Sequence, residues 1–177
     1  MGLEIVEFFM CIEETFDVEI DESTGVQLET PELVIEHLTN VLSASSASGL
    51  PCPHLRAFTL LRRYTKLVGA YNQPLKMETK LSNIFPQNTR RHWNALIASA
   101  RGDRPRTRDN FLLFCKPWTV RRTIQNMTQS HLRKLLFPNE SWDRSWIVFG
   151  VRNAIECVTG KTNYPMNGHF VKDIGMG

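Results

Sequence analysis

Apolar side chains recur at helical spacing along this chain, and no segment alternates apolar and polar residues with the period of a strand. Residues 3–16 show the pattern most clearly, because one face is apolar and the other is rich in glutamate. We therefore predict an all-α protein made of small helix bundles. The predicted helices cover residues 3–16, 30–42, about 58–68, 88–100, a segment from Thr119 that ends before Pro138, and 142–159.

The ends of several helices are marked by their residue types. Thr30 followed by Pro31 predicts a helix start, since the hydroxyl can cap the first turn and the ring suits the first helical position. Thr119 predicts another start, and Gly160 predicts the end of the last helix. The buried stripe after Thr30 is predicted to be Leu33, Val34, Leu38, Val41 and Leu42. The helix around 58–68 is predicted to bury Phe58, Leu61, Tyr64, Leu67 and Val68 and to expose Arg56, Arg62, Arg63 and Lys66.

Charge is distributed very unevenly along the chain. Residues 1–45 contain eleven acidic residues and no Lys or Arg, whereas residues 46–177 contain seven acidic and 21 basic residues, a formal charge of +14. An acidic segment linked to a basic one will bind it or recruit different partners. The acidic residues are Glu4, Glu7, Glu13, Glu14, Asp17, Glu19, Asp21, Glu22, Glu29, Glu32 and Glu36.

Cysteine and histidine spacing argues against a metal site. The four cysteines include no C-x-x-C pair, and the five histidines form no H-x3-5-H arrangement. No apolar run approaches the length of a membrane span, and no basic segment precedes an apolar stretch at the N-terminus. We therefore expect a cytoplasmic protein with reduced cysteines, no membrane association and no metal.

The two ends of the chain are similar to two adjacent pieces of one motif. The last eight residues read FVKDIGMG and the first twenty read MGLEIVEFFMCIEETFDVEI. In the acyl carrier protein family, F-V-x-D-L-G-x leads into D-S-L-x-x-V-E and an acidic helix. The chain therefore resembles an acyl carrier protein that is circularly permuted. The resemblance covers residues 1–42 and 142–177 and implies a small four-helix bundle.

The resemblance also indicates that the chain lacks the serine to which acyl carrier proteins attach their prosthetic group. In register, Met1 falls on the motif's Asp, and Gly2 falls on the Ser to which such proteins attach 4′-phosphopantetheine. Attachment needs a hydroxyl that attacks the activated diphosphate of coenzyme A, and glycine has none. We therefore expect no pantetheine arm and no other cofactor.

The acidic helix of the family is a docking face for enzymes that carry Arg and Lys patches. Helix positions three, four and seven apart share a side, so carboxylates at these spacings form a row for a basic partner. The basic central segment could in turn dock on an acyl carrier. Expected partners are thus acyl-carrier-dependent enzymes or an acyl carrier. The candidate partner-binding residues are Glu4, Glu7, Glu13, Glu14, Arg62, Arg63, Arg90 and Arg91.

The predicted bundle needs both ends of the chain. Residues 3–42 alone would leave the apolar sides of three helices uncovered, and the missing helix has a candidate in residues 142–159. We predict a bundle of residues 1–45 plus 138–177, a linker over 43–54 and a basic helical domain over 55–137. Met1 and Gly177 should be neighbours in a monomer, or two chains should exchange these halves in a swapped homodimer.

The central segment contains a faint internal repeat. Met77, Leu81 and Phe85 have the same spacing as Met166, Phe170 and Ile174, and PWTVRRTIQNM is similar to ETPELVIEHLTNVL. This similarity predicts that residues 55–128 form a second, diverged carrier-like bundle with a basic surface.

Three functional classes are compatible with these features. No G-x-S-x-G, Walker loop or Cys–His signature is present, so we do not expect an enzyme. A non-catalytic interaction module is the main expectation. The alternative is nucleic-acid binding by the basic central domain, although the eleven acidic residues at the start of the chain would oppose a polyanion. A structural scaffold, in which the basic segment neutralises the acidic helix, also stays open.

Overall fold

The computed structural model describes residues 2–45, 49–67, 73–85, 119–137 and 139–177, in which the regular elements are helices and no strand occurs. The predicted all-α fold is therefore confirmed for this part of the chain. The predicted helix over 88–100 lies outside it. The elements are α1 (Leu3–Phe16), α2 (Glu22–Gln27), α3 (Pro31–Val41), α4 (Pro53–Leu67), α5 (Leu81–Ile84), α6 (Val120–Ser130) and α7 (Arg144–Thr159), with a 3₁₀ turn at Leu132–Leu135 and a π-helical turn at Phe170–Ile174.

The chain divides into two compact units. Unit 1 consists of Met1–Leu50 and Ser141–Gly177, and unit 2 of Pro51–Glu140. Unit 1 therefore joins both ends of the chain, while unit 2 is one continuous segment. Helix α4 begins at Pro53, within the stretch predicted as a linker, because a proline is well suited to the first position of a helix.

Helix α7 is the centre of unit 1, since it packs against both α1 and α3. Its Trp146 is fully buried, as is Phe8 on α1. The ring of Phe8 lies 4.9 Å from that of Phe170, and the ring of Phe16 lies 4.9 Å from that of Trp142, each pair tilted. Tilted aromatic pairs add about 0.5–1.5 kcal/mol to the stabilisation from burial. The C-terminal segment thus covers the apolar side of the N-terminal helices.

The two ends of the chain meet in unit 1. A Cβ placed on Gly2 would lie 2.0 Å from the carbonyl carbon of Gly177. The Gly177 N–H donates to Oε2 of Glu4 at 3.2 Å, and the neighbouring Met176 is fully buried. Met1 itself lies outside the described residues. Gly2 and Gly177 therefore lie in contact, and the predicted contact between Met1 and Gly177 stays a prediction.

Residues 166–170, which lead into the π-helical turn, are joined to the start of α3 by two backbone hydrogen bonds. The Phe170 N–H donates to the carbonyl of Glu29 at 3.0 Å, and the Glu32 N–H donates to the carbonyl of Met166 at 2.9 Å. The first amides of a helix have no partner within the helix, so Met166 satisfies one that would otherwise need water. The C-terminal segment therefore holds α3 as well as α1.

Helices α3 and α6 are built alike. Each has 11 residues and begins after a threonine, Thr30 or Thr119, whose hydroxyl accepts from the backbone N–H three residues later. Both helices bury the first, fourth, fifth and eighth positions after the cap. At the ninth position, Thr39 and Thr128 each donate a hydroxyl hydrogen bond to the carbonyl four residues earlier. The predicted N-cap at Thr30 and the predicted helix start at Thr119 are confirmed.

The similarity between the segments that contain α3 and α6 extends beyond these two helices. The carbonyl of Met77 accepts from Arg121, the second residue of α6, as that of Met166 accepts from the second residue of α3. Helices α4 and α7 also bury their residues at matching intervals. These matches support the repeat that the sequence predicts over residues 55–128. The matching buried residues are Arg56, Ala57, Leu60, Leu61, Tyr64 and Thr65 in α4, and Trp146, Ile147, Gly150, Val151, Ala154 and Ile155 in α7.

Some predicted buried residues face solvent instead. Leu33 and Val41 on α3 are 41% and 54% exposed, and Leu67 on α4 is 82% exposed. Ile35 and Leu60 are buried in these helices. A helix buries a stripe little more than a quarter of its circumference wide, so a small error in its rotation exchanges neighbouring apolar residues between core and surface.

Removal of residues 141–177 should unfold α1 and α3, because α7 and the π-helical turn cover their apolar sides. Hydrogen–deuterium exchange should show loss of protection at the amides of Phe8 and Leu38, which are buried in the whole protein. The amide of Leu61 in unit 2 should stay protected in the same sample and serves as an internal control. Retained protection of Phe8 in the truncated chain would contradict this description of unit 1.

Candidate functional site

The solvent side of α1 carries a row of exposed apolar side chains. Leu3, Val6 and Met10 are 72%, 44% and 61% exposed, and their spacing places them on one side of the helix. The opposite side is fixed in the core of unit 1 by Ile5, Phe8, Ile12 and Phe16. Contiguous exposed apolar side chains are a feature of binding surfaces. We call Leu3, Val6, Glu7, Met10 and Glu14 the α1 face.

The four carboxylates predicted on this helix have different roles. Glu7 and Glu14 are exposed, and neither has an ion pair or hydrogen bond through its side chain among the described residues. Glu4 accepts from the Gly177 N–H, and Oε1 of Glu13 accepts from the Ile20 N–H at 2.8 Å. Glu4 and Glu13 therefore stabilise the chain end and the loop after α1, which leaves Glu7 and Glu14 free for a partner.

The apolar part of the α1 face is not among the residues predicted from the sequence. The predictions for this helix concern its buried stripe and its glutamates, and they give Leu3, Val6 and Met10 no place on its exposed side. The signal was nevertheless present, since these three large apolar residues lie among the glutamates on the polar side of the helix. Exposed large apolar residues on an amphipathic helix are the unusual ones and are therefore informative.

Cys11 lies half-buried on α1. Burial raises the pKa of its thiol, and the nearby Cys157, Glu14 and Glu7 raise that pKa further. The thiolate is the reactive form of cysteine, so this environment keeps Cys11 protonated and a poor nucleophile at neutral pH.

The position that the resemblance assigns to the attachment serine is closed. A Cβ on Gly2 would lie 2.0 Å from the carbonyl carbon and 2.6 Å from the carbonyl oxygen of Gly177. Both distances are far below van der Waals contact, and both atoms belong to the backbone. A side chain at position 2 would therefore collide with Gly177 unless one of the chain ends moved.

Arg62 and Arg63 lie exposed on α4, as predicted. Neither forms an ion pair or side-chain hydrogen bond with any residue that the structure describes. Arg90 and Arg91 lie outside the described residues. The basic candidates for which the structure gives a location are therefore those on α4.

Arg56 is not on this exposed surface, so its predicted exposure is wrong. It is only 7% exposed, because its helical position places it on the side of α4 that faces the core. Its guanidinium donates to both carboxylate oxygens of Glu140, at 3.0 and 2.8 Å, and its Cζ lies 4.5 Å from the centre of the Phe137 ring. Burial alone would raise the pKa of Glu140, but hydrogen bonds from Arg56 and from the Phe137 N–H hold it below its ordinary value.

The ranges that the structure describes contain no candidate for two other kinds of site. No three His, Cys, Asp or Glu side chains there are grouped so that they could hold a metal ion. None of the helices there is long and apolar enough to cross a membrane. The α1 face is the strongest candidate for a functional surface in unit 1.

Comparisons with known proteins do not add to this description. No family model, no curated protein and no solved structure matches the chain. The resemblance to acyl carrier proteins therefore depends on the motif residues at the two chain ends alone.

Substitution of Gly2 by alanine should destabilise the protein, because the new methyl group would overlap the backbone of Gly177. We expect a loss of about 1 kcal/mol in the free energy of unfolding, measured by urea denaturation. Deletion of Gly177 should remove most of this cost. Gly49→Ala is the matched control, since a Cβ there meets no atom within 4 Å. Equal effects at positions 2 and 49 would contradict the close contact of the chain ends.

Substitution of Arg56 by alanine should lower the free energy of unfolding by about 3 kcal/mol, because the carboxylate of Glu140 would lose the guanidinium that offsets its charge and keep the hydrogen bond from the Phe137 N–H. Arg62→Ala and Arg63→Ala, both at exposed positions, should change it by about 0.5 kcal/mol at most. The folded-state pKa of Glu140 is lowered, so its contribution is complete above its unfolded-state pKa and is lost as the pH falls through the folded value. The difference between wild type and Arg56→Ala should therefore shrink in acid, which urea denaturation at several pH values would show.

Proposed function

We propose that this protein is a non-catalytic, acyl-carrier-like interaction module without a phosphopantetheine arm, and that it docks on a basic protein surface through the α1 face. The observation that carries the proposal is the exposure of Leu3, Val6 and Met10 beside the unpaired carboxylates of Glu7 and Glu14. The other side of the helix is held in the core, so the α1 face is presented on a fixed support.

The two kinds of side chain on the α1 face make different contributions to binding. Burial of a large apolar side chain contributes about 1.5–3 kcal/mol when it is complete, so the apolar row can supply affinity. The carboxylates attract a basic surface from a distance and disfavour acidic ones, so they supply orientation and specificity. The matching partner surface is an apolar depression bordered by Lys and Arg.

Gly2 favours a protein that binds partners through its surface over one that carries an acyl group on a pantetheine arm. Gly2 has no hydroxyl to receive a phosphopantetheine group, and the backbone of Gly177 occupies the space beside it. Binding would therefore use the protein surface alone, with no tethered acyl group delivered to the partner.

The expected partner is an enzyme that acts on acyl carriers. The resemblance to that family implies a helix recognised by basic patches on such enzymes, and the α1 face has the charge and apolar content that such a patch would bind. A module without an arm would occupy the docking patch and supply no substrate, so it would compete with a true acyl carrier.

The proposal is tested by affinity capture from the native host, with bound proteins identified by mass spectrometry. Wild-type protein should retain acyl-carrier-dependent enzymes, and Glu7→Lys/Glu14→Lys should lose about tenfold or more of the bound amount, because two attractive charges become repulsive. A purified acyl carrier should displace the captured enzyme.

The matched control is Glu19→Lys/Glu156→Lys, which makes the same change in net charge at exposed positions away from the α1 face. It should retain the enzymes at nearly the wild-type level. Equal losses in both double variants would mean that net charge, and not the α1 face, determines binding. Absence of any acyl-carrier-dependent enzyme among the captured proteins would contradict the proposal itself.

A further inference from the structure

The two units carry opposite charge. Unit 1 contains 14 acidic and four basic residues, a formal charge of −10, and unit 2 contains four acidic and 17 basic residues, a formal charge of +13. One chain thus contains both an acidic and a basic bundle. Two molecules of it can attract each other although their net charges have the same sign.

Within unit 2, helix α4 presents a basic and partly apolar side to solvent. Arg62, Arg63 and Lys66 are exposed and form no ion pair with any described residue. Leu55 and Leu67 are 56% and 82% exposed on the same helix. The helix contains no acidic residue over its whole length, so nothing on it offsets these cations. We call these five residues the α4 face.

The α1 face and the α4 face are complementary. The α1 face has three exposed apolar side chains and two carboxylates, and the α4 face has two exposed apolar side chains and three cations. None of these charged groups pairs with a residue that the structure describes. The proposed function requires a partner surface with apolar side chains and basic residues, and the α4 face has both. We propose that the α1 face of one molecule docks on the α4 face of a second copy, an inference that rests on the proposed function.

Such an association joins two different surfaces, so each bound molecule still has one free face of each kind. Repetition of the contact produces an open chain of molecules, or a ring if the rotation closes. Exposed charges are screened by salt over about 10 Å at 0.1 M, so the association should weaken as the salt concentration rises.

A protein partner suits the α4 face better than a nucleic acid does. Phosphates would be bound by Arg62, Arg63 and Lys66, but they would gain nothing from Leu55 and Leu67, which are aliphatic and do not stack on bases. Burial of these two side chains requires an apolar surface on the partner, and Leu3, Val6 and Met10 of a second copy provide one.

Two charge-reversed variants of the full chain test the inference. Glu7→Lys/Glu14→Lys removes the acidic face and keeps the basic one, and Arg62→Glu/Arg63→Glu does the opposite. In sedimentation velocity at low salt, the wild type should form larger species as its concentration rises. Each variant alone should associate about tenfold or more weakly, because its remaining face meets only like charge. Circular dichroism and thermal unfolding should show that both variants fold, since all four positions are exposed.

A mixture of the two variants gives the decisive result. In the mixture the wild-type pair of faces is complementary again, and so is the charge-reversed pair, so the two variants should associate into alternating species that grow with concentration, as neither variant does alone, and moderate salt should dissociate them. A mixture that stays monomeric, or a wild type that stays monomeric at low salt, would overturn the inference.

If a purified oligonucleotide binds the wild type and Arg62→Glu/Arg63→Glu abolishes that binding while self-association is absent, the α4 face is a polyanion site and the inference is also wrong. Host enzymes captured through the α1 face by a protein that does not self-associate would sustain the proposed function and reject this inference alone.

Discussion

The structure of unit 1 depends on the packing of α7 against α1 and α3. Buried aromatic side chains, with Trp146 at the centre, supply the apolar area that the N-terminal helices cannot bury among themselves. Because α7 belongs to the other end of the chain, this packing brings residues 2 and 177 together. The packing of α7 against α1 also fixes the position of α1, so that the α1 face is directed to solvent.

Local features of the sequence predicted local structure well. The helix over 3–16 and the caps at Thr30, Thr119 and Gly160 follow from spacing and from groups that satisfy free backbone amides or tolerate a left-handed backbone. Which side of a helix is buried, and which charged side chains form contacts, depends on tertiary packing. For this reason Leu33 was wrongly predicted to be buried and Arg56 wrongly predicted to be exposed. The hydrogen bond that Glu4 accepts likewise depends on the position of Gly177, which is 173 residues away and cannot be predicted from the residues around Glu4.

The matching burial of α4 and α7 shows how one architecture accommodates different chemistry. Arg56 occupies the helical position in unit 2 that Trp146 occupies in unit 1. An indole fills such a position with apolar area, whereas a guanidinium there needs Glu140 and the Phe137 ring to offset its desolvation. Helices α4 and α7 thus bury residues at the same intervals and place different side chains there. The two units also differ in formal charge, which is opposite in sign.

The order of the segments along the chain has a consequence for biosynthesis. The ribosome makes α1, α2 and α3 first, then all of Pro51–Glu140, and only then α7. At about 5–20 residues per second, the intervening segment takes on the order of ten seconds to make. Throughout this time the nascent N-terminal helices lack the surface on which they fold. Until unit 2 emerges, the eleven carboxylates of residues 1–45, with no cation among them, repel the same segments of neighbouring nascent chains.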